Sequence, residues 1–523
     1  MTSWSASSLA LLLALAGPAQ AASPEAAMAC LAAVDLPCAR AESDALLAED
    51  GRSALYLHVA AEVAFQEGRY EEAVQRLERA AALHPQIAAD VESTLAQYRA
   101  TRAAAADFSE LRRGEVVVRY VPGMDAVLLD EAVEALEAAR AALQVQLGTL
   151  PPQPVLLEVY PTGRGFVAAS GLGDQAVATT GTIAISKWAR LIVTSPRAVA
   201  GGYSWKDTVV HEYVHQVVSH VSGDRAPLWL QEGVARALQD CWRGVIDPPL
   251  DPFEQAALAR ALAADDLVTF EEMHPSFAFL PSAERGAVAY AQVQVLVGTA
   301  MRRGGEGTLP RALAAIRAGA EGDVALAEAA GYRDFATLLA EAEQVMRGLE
   351  LVERRLAALP VVLDGGGGEL STDPLLDEEA ETGGHARLGD LLREAGRPRA
   401  ALAEYAQATV PDQPESPAVA GHAAACHQAL GDTAAARALL ERSTRDYPGY
   451  APTWCALGEL REAGGEQPGA LAAFRAAADV DPFDPETQGQ LARLYGAAGK
   501  QDLAARHAGY EKLLRQGGVV VGE

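Results

Sequence analysis

The chain is poor in positive charge. It has 43 Lys and Arg residues against 70 Asp and Glu residues, a formal net charge of -27 over 523 residues. Such an acidic surface repels phosphate backbones and anionic lipid headgroups, so we expect no nucleic-acid partner and no binding to acidic membranes. A chain of this length exceeds what one core can organise, which predicts three or more domains.

Long hydrophobic runs are also absent, and we expect no membrane span in the mature chain. The apolar run Leu9–Ala16 is too short to cross a bilayer. Gly17 and Pro18 follow it, and Ala19-Gln20-Ala21 is a small-x-small cleavage site. This order predicts a signal peptide over residues 1–21 and an exported protein, periplasmic or secreted. Because no Lys or Arg precedes the run, a buried N-terminal helix is the alternative.

Cysteine is scarce, and the five cysteines include no C-x-x-C pair, which disfavours a cysteine-ligated zinc site. In an exported protein Cys30 and Cys38 could pair across a tight turn. Cys426 and Cys455, in neighbouring helical repeats, could form a second pair, and Cys241 would then be the free thiol. Neither a glycine-rich phosphate loop nor a nucleophile elbow occurs, so nucleotide use and serine-hydrolase chemistry lack support.

Internal repeats dominate the C-terminal part. Glycine recurs at intervals of 34 to 35 residues, and alanine follows five residues after each, at Gly396, Gly431, Gly465 and Gly499. Small residues at fixed offsets let two antiparallel helices approach closely, and the period resembles that of the tetratricopeptide repeat. The resemblance implies an α-solenoid over residues 386–523 that offers a surface to a protein partner.

One similar unit occurs near the N-terminus, from Ala54 to Pro85. A single repeat cannot bury both of its faces. We therefore expect the flanking helices, roughly Ala26–Leu47 and Gln86–Ala105, to pack on it in an N-terminal helical domain over residues 22–108.

The middle of the chain has a different pattern. Four apolar or β-branched runs predict strands: Glu115–Tyr120, Val155–Tyr160, Thr182–Ile185 and Arg190–Thr194. Helical periodicity covers Leu128–Gln146 and almost everything from Ser204 to Leu359. Strands first and helices after them predict an α+β domain over residues 109–360. A Gly-rich acidic stretch then predicts a linker over residues 361–385.

The chemistry-bearing motif is His211-Glu212-Tyr213-Val214-His215, within a predicted helix. Residues four apart share a helical face, so both imidazoles can reach one metal ion, and Glu212 projects beside it. Glu232 follows in a second helix, in a largely apolar stretch where an unpaired carboxylate would be costly. Two His and one Glu form the ligand set of a catalytic Zn²⁺ with one open position. A surface helix with two histidines is the alternative.

From Val116 to Arg243 the chain resembles the gluzincin peptidase MA-like domains that occur with tetratricopeptide repeats in bacterial exported proteins. Gly-Tyr-Ser-Trp-x-Asp-Thr before the first histidine and Pro-x-Trp-Leu-x-Glu-Gly-x-Ala after the second carry this match. The resemblance implies a zincin-like α+β fold, one zinc ion held by His211, His215 and Glu232, and Glu212 as the general base. It also suggests Tyr290 as an oxyanion-stabilising residue, with an ordinary core tyrosine as the alternative.

The chain differs from related metallopeptidase patterns at two points, and these narrow the expected activity and the expected set of metal ligands. The stretch Gly181–Ile185 has no carboxylate to grip a free amino terminus, which favours an endopeptidase over an aminopeptidase. His220 lies five residues after His215, not six, so it does not fit a third histidine ligand. The expected function is therefore a zinc-dependent endopeptidase acting on peptides or proteins. The alternative is a catalytically silent repeat scaffold that retains a peptidase fold.

Overall fold

The computed structural model describes residues 22–517 except 174–176, 178–180, 274–276, 278–279, 353, 360, 362, 364–380 and 410–413. The predicted signal peptide and most of the predicted linker lie outside the described residues. Within them, the chain is mostly helical with one five-stranded sheet. None of the helices in this part of the chain is long and apolar enough to cross a membrane.

Helices form the N-terminal part: α1 Pro24–Ala32, α2 Leu36–Glu49, α3 Ala54–Gln66, α4 Tyr70–Leu83 and α5 Pro85–Ala104. The predicted helix Ala26–Leu47 is thus two helices, because Val34 takes a left-handed φ of 51°. A disulfide joins Cys30 to Cys38 across this break, which confirms the predicted pairing. The helix α3 is almost wholly buried between its neighbours, as expected for a repeat that needs flanking helices.

The sheet contains β1 Ser109–Arg113, β2 Val116–Tyr120, β3 Val155–Tyr160, β4 Ala184–Lys187 and β5 Arg190–Thr194, in the order β1-β2-β3-β5-β4. Its three central strands are parallel, and the two outer strands are antiparallel to their neighbours. The central strands are parallel because helices α6 Leu129–Leu147 and α7 Gly163–Ser170 intervene between them. Strand β1 was not predicted, since its largely exposed sequence Ser-Glu-Leu-Arg-Arg has no buried alternation.

The following helices cover this sheet and one another: α8 Trp205–Ser222, α9 Leu228–Leu238, α10 Pro252–Ala264, α11 Ala283–Gly304, α12 Thr308–Arg317, α13 Gly322–Ala329 and α14 Phe335–Arg347. Val210, Val214 and Val217 of α8 are fully buried in the same core as Leu157 and Leu191 of the sheet. Packing of this apolar face fixes the rotation of α8, and therefore the direction in which its polar face points.

The sequence from Ser204 to Asp207 at the start of α8 is typical of a capping box, but the structure does not form one. The Ser204 side chain caps no backbone donor. Asp207 instead accepts hydrogen bonds from Trp242 Nε1 at 2.9 Å and from Arg243 at 2.5 Å. Tertiary partners with charge-assisted bonds therefore replace the local cap.

The C-terminal part forms helical hairpins: α15 Glu381–Glu394, α16 Pro398–Ala408, α17 Pro417–Ala429, α18 Thr433–Asp446, α19 Ala451–Ala463, α20 Gln467–Val480, α21 Pro485–Ala497 and α22 Gln501–Arg515. Each of the four repeated glycines turns its hairpin with a φ between 69° and 80°, which confirms the predicted repeats. The predicted pairing of Cys426 with Cys455 is wrong, since both are free thiols.

The predicted linker over residues 361–385 is too long at both ends. Val361 and Leu363 pack against the core that contains the sheet, and Leu363 forms an isolated bridge with Val199. At the other end α15 already begins at Glu381. The first of these outcomes follows from contacts of Val361 and Leu363 with distant elements, which the local composition does not contain.

The C-terminal repeats dock on the domain that carries the sheet. Lys206, at the start of α8, lies 2.5 Å from Glu131 of α6 and 2.5 Å from Asp479 of α20. The Tyr203 amide donates to the Val480 carbonyl at 3.0 Å. The chain segment that enters α8 is thus held by both α6 and the repeats.

Candidate functional site

Helices α8 and α9 bring His211, His215 and Glu232 together. Nε2 of His211 lies 3.1 Å from Nε2 of His215. Oε2 of Glu232 lies 3.4 Å from the first of these nitrogens and 3.6 Å from the second. The three side chains are only 14–17% exposed. They form the group of described residues that could hold a metal ion.

The connection between the two helices produces this convergence. Gly223, with a φ of 65°, and Asp224, with a φ of 59°, end α8 and reverse the chain. Beside Glu232, a Cβ atom on Gly233 would lie 2.6 Å from Val297 Cγ2 and 2.7 Å from the Val293 carbonyl oxygen. Because glycine has no side chain, α9 can lie directly against α11. This close packing positions Glu232 opposite the two histidines.

A positioning contact on His211 was missed by the sequence analysis. His211 Nδ1 lies 3.3 Å from Oε1 of Gln239, the C-cap residue directly after α9. A carbonyl oxygen only accepts, so Nδ1 carries the proton and Nε2 presents its lone pair to the site. Gln239 lies seven residues after Glu232, two helical turns along the same face, and this spacing was the available signal.

Gln239 is itself held in place. Its Oε1 also accepts from Arg236 Nη1 at 3.2 Å. Arg236 Nη2 in turn lies 2.5 Å from both carboxylate oxygens of Glu254 on α10. A relay of fixed side chains therefore supports the orientation of the His211 ring.

The electrostatics of the three converging groups favour a cation among them. Burial opposes the charged form of His215, but the charges of Glu232 and Glu212 prevail and raise its pKa to about 9. Burial would raise the pKa of Glu232, yet the imidazoles of His215 and His211 hold it far below its ordinary range. The site thus stabilises positive charge at the point where the nitrogens and the carboxylate meet.

Glu212 faces the sheet edge. Its Oε2 accepts a hydrogen bond from the backbone N–H of Ser186 in β4 at 2.6 Å. Strand β4 pairs with β5 on its other side and forms an edge of the sheet among the described residues. The carboxylate therefore lies between the converging imidazoles and a partly buried edge strand. Its second oxygen forms no hydrogen bond with a described residue.

The structure places Tyr290 near this group without joining it to the three converging residues. Burial and then the charge of Glu232 raise the pKa of Tyr290. Its ring lies 4.9 Å from the Phe277 ring, and the Arg236 guanidinium lies 6.0 Å from its centroid. The hydroxyl forms no hydrogen bond with a described residue.

His220 points away from the site. Its Nδ1 lies 2.7 Å from the Ala33 carbonyl oxygen in the N-terminal helices. This contact agrees with the expectation from spacing that His220 is not a third histidine ligand, and it ties the end of α8 to the N-terminal part.

The chain matches no known protein-family model and no curated protein. Among solved structures it is similar to MamA, with 18% identity over 26% of this chain and 79% of MamA, at a TM-score of 0.24. It is also similar to PilF of Pseudomonas aeruginosa, with 20% identity over 27% of this chain and 62% of that chain, at a TM-score of 0.24. Similarity this low carries no conclusion about function.

Proposed function

We propose that this protein is a zinc-dependent peptidase in which His211, His215 and Glu232 bind the metal and Glu212 is the general base. The observation that carries the proposal is the triangle formed by the two Nε2 atoms and the Glu232 carboxylate, with edges of 3.1, 3.4 and 3.6 Å. Two histidines four residues apart on one helix and one glutamate on the next supply this ligand set without a cysteine.

The donor atoms of the triangle are of the type that Zn²⁺ binds, and its two edges to Glu232 match the ligand spacing of a zinc site, while the edge between the histidines is slightly shorter. Nitrogen and oxygen ligands at about 2.0–2.2 Å from a tetrahedral zinc lie about 3.3–3.6 Å from one another. Two imidazoles and one carboxylate leave one of four positions for water or substrate, as in catalytic rather than structural zinc sites. The Gln239 contact keeps the His211 lone pair directed at that point.

When bound, Zn²⁺ supplies Lewis-acid activation of water and polarisation of a carbonyl. Glu212 accepts the proton that the water loses during attack on the scissile bond and then delivers it to the leaving amine. The Ser186 N–H orients this carboxylate through Oε2. Because this hydrogen bond fixes the carboxylate, its other oxygen can face the water.

The substrate is an internal peptide segment. Strand β4 offers an edge along which an extended backbone can pair. Its sequence Ala-Ile-Ser-Lys contains no carboxylate to bind a free amino terminus. The charged side chain of this strand, Lys187, donates from Nζ to the Ser170 carbonyl at 3.0 Å. We therefore propose endopeptidase rather than aminopeptidase activity, in the exported location expected for this chain.

The test of the proposal is metal removal and restoration. Metal-replete full-length protein should contain about one zinc per chain and cleave an unfolded substrate such as casein. Treatment with a chelator should abolish cleavage, and one equivalent of Zn²⁺ should restore it. His215→Ala is the matched variant, since it should neither retain zinc nor recover activity. Absence of zinc from the replete wild-type protein would overturn the proposal.

Loss of the Gln239 contact should weaken the metal site without destroying it. We expect Gln239→Ala to lower zinc affinity about 10–100-fold, because His211 loses the acceptor that fixes its ring. Competition with a fluorescent chelator measures this affinity. Gln239→Glu retains an acceptor oxygen and should retain affinity, and exposed Gln75→Ala should change nothing. Equal affinity in Gln239→Ala and wild type would exclude this positioning role.

The oxyanion-stabilising role and the packing role of Tyr290 predict different kcat values for one variant. If its hydroxyl stabilises the oxyanion, Tyr290→Phe should lower kcat about 10²–10³-fold, since one donor to the developing charge is lost. Zinc content and thermal stability should stay unchanged. Tyr56→Phe in α3 is the control. An unaltered kcat would instead identify Tyr290 as a packing residue of the Phe277 cluster.

A protein-binding scaffold is the second candidate function, favoured by the eight C-terminal helices and their regular hairpins. Stacked hairpins of this kind form extended surfaces that bind other proteins. We propose a protein partner on this surface in either case. Zinc bound to the wild type, with no cleavage of casein or of captured partners, would favour the scaffold over the peptidase.

A further inference from the structure

A cavity of about 640 Å³ lies between α10 and the first C-terminal hairpins. Among the described residues its walls come from α10, from residues 354–356, and from α17 and α18. The converging histidines, Glu212 and Glu232 are not part of its lining. This volume falls within the range of about 300–1,000 Å³ that is typical of small-molecule sites.

The lining is positively charged in an otherwise acidic protein. Four arginines, Arg260, Arg354, Arg355 and Arg442, outnumber its two carboxylates, Glu415 and Asp446. The chain as a whole has a net charge of -27. Arg442 pairs with Glu415 at 2.7 Å, and Arg354 pairs with Asp446. Arg355 forms no ion pair with any residue that the structure describes. Arg260 pairs through Nε with Glu284, outside the lining, at 2.6 Å. The positive charge that remains without an acidic partner among the described residues is therefore that of Arg355.

Two polar groups in the lining have unmet hydrogen-bonding capacity. Ser443 is 4% exposed, and its Oγ has no partner among the described residues. Nη1 of Arg260 is likewise buried without a partner there. Such groups carry a free-energy cost unless a ligand or water satisfies them. Burial and the nearby guanidinium groups of Arg442 and Arg445 also lower the pKa of Arg354, a sign of crowded positive charge.

We propose that this cavity binds a small polyanion that carries carboxylate or phosphate groups. Guanidinium groups bind either group through paired N–H donors, and the Ser443 hydroxyl adds a neutral donor. The walls belong to both α10 and the repeats, so a bound anion joins the two parts of the chain. This site is independent of the proposed peptidase activity.

The experiment is calorimetric titration of the full chain with citrate and, separately, with inorganic pyrophosphate at constant ionic strength. We expect saturable binding of at least one probe with one site per chain. Arg355→Ala and Ser443→Ala should each weaken it, the arginine variant about tenfold or more, because a charged hydrogen bond is lost. Arg333→Ala is the matched control, since Arg333 is 85% exposed and outside the cavity.

Each outcome has a definite meaning. Binding of citrate alone identifies a carboxylate site, and binding of pyrophosphate alone identifies a phosphate site. Binding of both probes, with weaker binding by the cavity variants, supports a site that recognises negative charge and does not distinguish carboxylate from phosphate. No saturable binding of either probe, or equal binding by wild type and both cavity variants, overturns the proposal.

Discussion

Replacement of Glu212 by glutamine should lower peptide hydrolysis about 10²–10⁴-fold while leaving zinc content at the wild-type level. The amide can still accept the Ser186 N–H bond, which in the wild type is 2.6 Å long, so the side chain should stay in place. It cannot take up a proton, however. The variant therefore removes the base and leaves the metal ligands intact.

Zinc content by atomic emission and initial rates on casein measure the two effects on the same preparation. The matched control is Glu321→Gln, an exposed glutamate at the start of α13, for which we expect wild-type rates. Wild-type hydrolysis by Glu212→Gln would contradict the assignment of the base. Equal inactivity of wild type and variant, with zinc in both, would point to the scaffold function.

Replacement of Arg190 by methionine should destabilise the fold by about 3 kcal/mol, because it removes the closer ion-pair partner of a buried carboxylate. The second partner, Arg119, lies 3.5 Å from Glu158 Oε1 and compensates the charge only in part. Arg190 and Glu158 are both fully buried, and Arg190 Nη1 lies 2.9 Å from Glu158 Oε2. The guanidinium also lies 4.7 Å from the Phe65 ring centroid and 4.9 Å from that of Tyr70. The pair thus joins the N-terminal helices to the centre of the sheet.

Denaturant unfolding followed by circular dichroism gives the free-energy difference, and hydrogen exchange in α3 and α4 shows whether the N-terminal helices loosen first. The double variant Arg190→Met with Glu158→Leu should recover part of the loss, since no unpaired charge remains. Exposed Arg333→Met should stay within about 0.5 kcal/mol of the wild type. Wild-type stability of Arg190→Met would show that the pair contributes nothing net.

Local sequence patterns correctly predicted the strands whose residues are all buried. Val155–Tyr160 and Arg190–Thr194 were predicted with the bounds that the structure has, because each is buried along its whole length and reads as a continuous strand. Strand β1 was missed because its partner, not its own composition, makes it a strand. The break at Val34 was missed for a similar reason, since the helical pattern continues across it.

For the candidate site, the sequence by itself determined that His211 and His215 share a helical face, because the rise and turn of an α-helix are local properties. The spacing of the C-terminal repeats could likewise be recognised in the sequence by itself. Only the tertiary structure decided that Glu232 meets the histidines, that Gln239 orients His211 and that β4 holds Glu212. The arginine-lined cavity also depends on docking between distant segments. Contacts of this kind depend on how whole elements pack, which no local pattern encodes.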